Sequence, residues 1–330
     1  MISSDLSITS SICLGVQSFS ASKCIGLLHL RELGRVEARS RLKAHISLLT
    51  FHYQPLVETM ILIAASTKDV ASMNIAQQII ERYDFEKLSE TFQGNKMYFK
   101  HVANRDVKMT FTNQELIHSQ HITEHFKTDL VIFVSRHASA SGFPTLSVHV
   151  PGNLDKAELG GLPKRVSICP ASAMKEALME LAKTRDEGKL PYEVSYECTH
   201  HGPSLDVPTM FVELGSSPEQ WKDLKAAEAV AHAAIAAATK DNKHPTVLGV
   251  GGPHYNERFT KIALTTSKAF GHIISKYAAP SVESEVVRQC VQRTVEHVES
   301  AVFDWKSLRA GDRNRIISAL NELNVSTEKA

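Results

Sequence analysis

The chain has 330 residues, 43% of them apolar, with 37 Lys and Arg against 36 Asp and Glu for a formal net charge of +1. That length and apolar share can fill the core of one large α/β domain or two modest ones, and no run approaches the roughly 18 apolar residues of a membrane helix. Balanced charge argues against a polyanion partner held by overall charge. Five cysteines, widely spaced and without a CxxC pair, argue against a disulfide framework or a thiolate zinc knot and suit a reducing, cytoplasmic compartment.

Residues 1–59 are rich in serine, with Lys and Arg outnumbering acids and no strand–helix alternation. They match an organelle transit segment only in part, because Glu32, Glu37 and Glu58 interrupt them. The preferred reading is an upstream start, with Met60 the natural first residue. The segment is expected to be a poorly ordered extension without chemistry, ahead of a single α/β domain over 60–330.

A buried strand opens at 60–66 and runs through Ser66-Thr67-Lys68-Asp69 into a helix at about 70–82. Residues 84–112 read as short amphipathic strands with a turn at Asn104-Arg105-Asp106. Buried strands follow at Asp129 to Ser135 and Leu146 to Val150, then a helix at 172–188, then strands near 192–199, 207–214 and 246–251. Ser217-Pro218-Glu219-Gln220 has the spacing of a capping box and predicts a helix from there to about Thr239. Residues 258–278 and 282–303 read as two further helices, broken by Ala279-Pro280. Continuous apolar runs such as Leu130 to Val134 suit strands covered on both faces. The expected fold is therefore α/β, a mostly parallel mixed sheet with helices on both faces.

Candidate chemistry gathers where strands hand over to loops. Glu197-Cys198-Thr199-His200-His201-Gly202-Pro203 offers imidazoles and a carboxylate. Neighbouring side chains on a strand point to opposite faces, so His200 and His201 share a site only if the chain turns there, and Gly202-Pro203 suits such a turn. Imidazole and carboxylate also ligate zinc with an open position for water. Arg136 and His137 follow a parallel strand, where open α/β sheets bind ligands, and His149 ends a neighbouring strand. Gly249-Val250-Gly251-Gly252-Pro253-His254-Tyr255 lets backbone approach a ligand and carries His254, without dinucleotide or Walker spacing. Glu213 and the Gly215-Ser216 backbone precede the capped helix, whose free N–H groups can hold an anion. The plainer reading of each histidine is a hydrogen-bonded structural residue.

No GxSxG is present, so activated water is the expected nucleophile. Local basic groups, Lys306, Arg309, Arg313 and Arg315 or Lys164 with Arg165, are candidates for holding a polyanion, against the plainer reading of solvated helix surface.

Taken together, Ser135-Arg136-His137, the 197–203 stretch, Phe211-Val212-Glu213-Leu214-Gly215-Ser216, the 249–255 loop and Gly271-His272-Ile273 resemble the D-aminoacyl-tRNA deacylases of the type shared by archaea and plants. The resemblance covers roughly residues 60–325. It implies hydrolysis of the ester between a D-amino acid and tRNA, a fold similar to the phosphorylase/peptidyl-tRNA hydrolase group, and zinc, two ions per chain, as cofactor. On that footing His200, His201 and His254 are candidates for water activation or metal binding, and His149, His200 and His254 for metal ligation. Glu197 and Glu213 are candidate bases or ligands. Thr199 and the Gly251-Gly252 backbone are candidate oxyanion donors, and Arg136, His137 and Ser216 candidate substrate contacts. The expected partner is tRNA carrying a D-amino acid, with no membrane and no obligate protein partner. The alternatives are a zinc-dependent peptidase or amidohydrolase on a related fold, or a non-catalytic tRNA- or nucleotide-binding module.

Overall fold

The computed structural model of the protein describes residues 60–330, and the expectation of a poorly ordered segment over 1–59 lies outside the described residues. β1 (Met60–Ser66) is buried, and its alternate side chains divide between two clusters: Ile61, Ile63 and Ala65 on one side, Leu62 and Ala64 on the other. A strand covered on both faces has to be apolar throughout. Asp69 accepts a hydrogen bond from Ser72 N at 3.1 Å and caps α1 (Val70–Arg82), whose buried Ala71, Ile75, Ala76 and Ile79 lie on one helical face.

β2 (Glu86–Phe92), β3 (Asn95–Val102) and β4 (Arg105–Thr112) form an antiparallel meander. Its two-residue turns, Gln93-Gly94 and Ala103-Asn104, have positive φ at all four residues, the backbone hand that matches strand twist. The turn expected at 104–106 falls earlier, and Arg105 and Asp106 belong to β4.

After the one-turn α2 (Ile122–His125) come β5 (Leu130–Arg136), β6 (Thr145–His149) and the small pair β7 (Gly152–Asn153) and β8 (Arg165–Val166). Then follow α3 (Ala171–Gly188), β9 (Glu193–Tyr196), β10 (Thr209–Gly215) and α4 (Leu224–Thr239). The first sheet has eight strands in the order β2-β3-β4-β1-β5-β10-β6-β9. β1, β4, β5 and β10 run parallel, β6 is antiparallel to β10, and β9 is parallel to β6. α1, α3 and α4 pack together on one face of it, and the alanines of α4 bring the helices close to one another.

A second, wholly parallel sheet has the order β12-β11-β13-β14, formed by β11 (Thr246–Val250), β12 (Ala269–Ile274), β13 (Val298–Phe303) and β14 (Ser326–Lys329). α5 (Glu257–Thr265) covers one face, with Phe259 stacked on Phe270 at 4.6 Å between ring centroids. α6 (Ser284–Gln292) and α7 (Ala310–Asn321) cover the other through Val286, Val287, Ile316 and Leu320. The architecture is the expected mixed, mostly parallel α/β one.

Two helix expectations are corrected. Residues 258–278 and 282–303 are each a short helix followed by a strand, α5 then β12 and α6 then β13. Ala269 to Ile274 and Val298 to Phe303 are short apolar runs buried in a sheet, and periodicity alone does not separate such runs from buried helix. The capping box is also displaced. Ser217 N and Oγ do reach Gln220 Oε1, at 3.0 and 2.5 Å, but they close only a 3-10 turn at Gln220–Lys222. α4 starts later, capped by Asp223, which accepts from Lys225 N and Ala226 N.

Candidate active site

Alternation along β10 sends Met210, Val212 and Leu214 toward the helices and leaves Phe211 and Glu213 on the opposite face. Register then sets their neighbours: Phe211 pairs with Phe133 on β5 and His149 on β6, and Glu213 with Ser135 and Ser147. Beyond β9 the chain crosses from the first sheet to the second. Cys198 N donates to His254 O at 3.0 Å and Thr199 N to Ile273 O at 2.9 Å. His201 lies at φ +41°, a left-handed conformation costly for a side chain with Cβ. That bend lets consecutive imidazoles meet, with the rings of His200 and His201 4.3 Å apart. Gly202 follows where a Cβ would sit 2.2 Å from Gly161 N, so only glycine allows this approach of two backbones.

Two imidazoles are held by carboxylates. His137 Nδ1 lies 3.2 Å from Glu197 Oε1 and 3.3 Å from Glu213 Oε2, and its Nε2 meets the Tyr255 hydroxyl. Ser135 Oγ donates to Glu213 Oε1 at 2.5 Å. His254 Nε2 is 2.8 Å from Glu197 Oε2, and its Nδ1 is 3.3 Å from Cys198 Sγ. Burial opposes charge on both rings, yet Glu197 and Glu213 outweigh it at His137 and Cys198 and Glu197 at His254, and each is pushed up to about 11. Both rings are therefore imidazolium at neutral pH. Burial also opposes charge on Glu197, but its histidine partners hold it well below the usual carboxylate range.

Three imidazoles are neutral. Burial drives His149, His200 and His201 down, and mutual repulsion adds to the effect at His149 and His200. His200 Nδ1 donates to Cys198 O at 2.8 Å and His201 Nδ1 to Gly202 O at 2.7 Å. A neutral ring that donates from Nδ1 keeps a lone pair on Nε2. His201 Nε2 lies 3.2 Å from His149 Nε2, and His149 Nδ1 is buried with no hydrogen-bond partner among the described residues.

This donor chemistry fits zinc. His149, His200 and His201 each bring a ligand nitrogen within 4.8 Å of the others, and backbone carbonyls fix two of the tautomers. Two further groups, Cys198 with His200 and His254 and the group His137, Glu197 and Glu213, have similar spacing. Each contains a ring held protonated by its neighbours, His254 in the first and His137 in the second, which suits it less. Of the metal set expected from sequence, His149 and His200 gather with His201, and His200 and His254 gather with Cys198.

These groups open onto a cleft of about 310 Å³ that Arg136, His137, His200, His201, Glu213 and His254 line together with Asp69, Glu115, Ser135 and an apolar wall of Leu116, Ile117, Leu159 and Phe211. Glu197 sits beneath, fully buried. Arg136 pairs with Glu115 at 2.9 Å and lies over the Trp221 ring.

Four expected residues do not serve as expected. Thr199 Oγ1 is buried against His272 Nδ1 at 3.1 Å and accepts from Ile273 N at 3.1 Å, so it is no oxyanion donor. Ser216 is buried, donates to Phe143 O at 2.6 Å and is not among the residues that line the cleft. Gly251 N donates to Ile274 O at 2.7 Å and Gly252 N to Ser307 Oγ at 2.8 Å, which takes both amides. Asp69, given no role in the sequence reading, lies in the turn that follows β1, so the strand-edge rule that marked Arg136 would have found it. Tyr255 carried a signal as well, adjacent to His254. Ser135 stood in the Ser135-Arg136-His137 motif without a role assigned to it, and Glu115 and Trp221 offered no signal because only packing brings them in.

A model of the family described as D-aminoacyl-tRNA deacylase matches residues 124–328. The chain is 39% identical over 264 residues to a D-aminoacyl-tRNA deacylase of Pyrococcus furiosus, covering 78% of this chain and 95% of that protein. It is 33% identical over 276 residues to one from Methanosarcina barkeri, covering 82% and 89%. Among solved structures, a conserved protein of unknown function superposes with a TM-score of 0.75 at 31% identity, covering 83% of this chain and 95% of that one.

Proposed function

The chain belongs to the D-aminoacyl-tRNA deacylase family, and from that premise we propose that it hydrolyses the ester linking a D-amino acid to tRNA, releasing the free amino acid and the tRNA. The observation that carries the reading is the meeting of neutral and cationic imidazoles on one cleft beside a carboxylate. An aminoacyl ester is already activated. Its hydrolysis needs a positioned water, a proton acceptor and positive charge where the oxyanion forms.

Glu213, on the cleft floor, is the proposed acceptor of the water proton, which it returns to the departing ribose oxygen. His137 and His254 supply the positive field for the oxyanion, and Glu197 holds both charges in place from below. His149, His200 and His201 would hold a zinc ion, which there would supply a bound water of lowered pKa and Lewis-acid polarisation of a carbonyl. A second ion, as the resemblance implies, would fall to the group His137, Glu197 and Glu213, at the cost of the second proton on His137. The apolar wall of Leu116, Ile117, Leu159 and Phe211 receives the amino-acid side chain, and chirality is read by which isomer that wall admits.

No helix among the described residues is long and apolar enough to cross a membrane, and tRNA is the proposed partner. Purified protein offered D-tyrosyl-tRNA and L-tyrosyl-tRNA separately tests the reading. Release of the D amino acid alone is the expected result; equal release, or none, overturns it. The family's relatives give no support to a peptidase or amidohydrolase.

A further inference from the structure

The parallel strands of the second sheet end on one edge. β11 leads into Gly251–His254, β12 into Lys276-Tyr277 and β13 into Trp305–Arg309. Two hydrogen bonds join these segments: Lys276 N donates to Gly252 O at 2.9 Å, and Gly252 N to Ser307 Oγ at 2.8 Å. The loop that carries His254 to the cleft is thus flanked on both sides.

The flanks share a composition. The Tyr277 ring is 66% exposed with Lys276 Nζ 5.0 Å from its centroid, and Trp305 lies against Arg313 at 4.1 Å and Lys329 at 4.6 Å. Asp304 and Asp312, the acids of this edge, are taken up by Arg258 and Arg315, whereas Lys306 and Arg309 are exposed and have no ion-pair partner among the described residues. Lys164 and Arg165, the other basic cluster marked in the sequence, are neutralised. Lys164 pairs with Glu283 at 2.5 Å, and Arg165 and Arg293 pair with Asp206 at 2.5 and 2.6 Å. In a chain of net charge +1, two unpaired cations near the exposed Tyr277 ring are a local feature.

We propose that this edge binds the unpaired 3′ end of the tRNA, with Tyr277 stacking on a base and Lys306 and Arg309 meeting the phosphates. The inference rests on the deacylase reading. An ester on the terminal ribose, held at Glu213, obliges the preceding nucleotides to leave the cleft as a single strand. A single strand shows one phosphate per nucleotide and unstacked bases, which aromatic faces and mobile cations recognise without a groove to read. The edge next to His254 offers both, and the paired basic residues at 164, 165 and 293 offer neither.

The full chain, Tyr277→Ala, Tyr277→Phe and Lys306→Ala/Arg309→Ala are compared in binding uncharged tRNA and in hydrolysing D-tyrosyl-tRNA and D-tyrosyl-adenosine. Tyr277→Ala and the double variant are expected to weaken tRNA binding and raise KM for D-tyrosyl-tRNA about tenfold, with kcat and turnover of the adenosine ester within about twofold. Tyr277→Phe is expected to restore stacking, and the double variant to lower the salt dependence of binding by about one or two released counterions. A chain that does not bind uncharged tRNA, variants that bind it as tightly as the unaltered chain, or an equal loss with the adenosine ester overturns the inference, and in the second case the edge serves a different partner. Should the chain bind tRNA at this edge yet hydrolyse neither ester, the deacylase reading falls and the surface stands.

Discussion

The two groups of imidazoles at the cleft share a residue type and a few ångströms of space, yet one is cationic and the other neutral. His137 and His254 each have a carboxylate oxygen within 3.3 Å, and that attraction, joined at His254 by the Cys198 sulfur, outweighs burial. His200 reaches Glu197 only at 3.6 Å, while His149 and His201 have no carboxylate within ion-pair distance among the described residues, so burial decides all three. What differs is the second partner: a carboxylate calls up the proton, whereas the backbone carbonyls at Cys198 and Gly202 fix a neutral tautomer. One buried glutamate, Glu197, thereby divides the cleft into a half that attracts developing negative charge and a half that offers lone pairs.

The sharpest way to break this division is at the proton acceptor. Glu213→Gln should lower kcat for D-tyrosyl-tRNA by about a thousandfold in a folded protein, since general-base steps carry roughly 10² to 10⁴; a rate within tenfold of the unaltered chain would remove Glu213 from that role. Next comes the lone-pair half. His200→Ala should cost at least about tenfold in activity and lower bound zinc measured by elemental analysis, and chelation of the unaltered chain should mimic it until zinc is restored. Full activity with undiminished zinc would dissolve the proposed trio.

A smaller effect is expected on the cationic side from Tyr255→Phe, which removes the hydroxyl on His137 Nε2 but leaves both carboxylates, and which should cost about threefold to tenfold in kcat. A loss as large as that of Glu213→Gln would mean the hydroxyl itself takes part in the reaction.

His272 extends the comparison beyond the cleft, as a buried imidazole with no carboxylate, pushed down to about 4 by burial. Above the ordinary value of 6.5 it is neutral in both folded and unfolded chains and adds no pH dependence. Between 6.5 and about 4 the unfolded chain binds a proton the folded chain refuses, so stability falls as pH is lowered through that window. His272→Gln should reduce the loss of unfolding free energy between pH 7 and pH 5 by about 1–2 kcal/mol, read from urea titrations. An unchanged slope would show that this ring titrates normally.

Much of the fold was legible because local rules suffice for it. The buried run at 60–66 and the break at Asn104 were readable from burial and turn chemistry alone. The strands β12 and β13 were not, since six apolar residues satisfy helix and strand alike until a sheet claims them. In the site, His137, His149, His200, His201 and His254 stood out as imidazoles at strand ends, but Thr199, Ser216, Gly251 and Gly252 were misjudged. Their residue types suit an oxyanion site, and only their actual hydrogen bonds show the groups to be occupied.

The sequence by itself determined the periodicities, the turn residues and the stock of imidazoles and carboxylates at strand ends, because these depend on neighbours within a few positions. The tertiary structure alone decided which of those groups carry a proton. Protonation depends on distances between atoms far apart in the chain, such as 2.8 Å between His254 and Glu197, 57 residues apart. No local pattern encodes that distance; it follows from where two sheets meet.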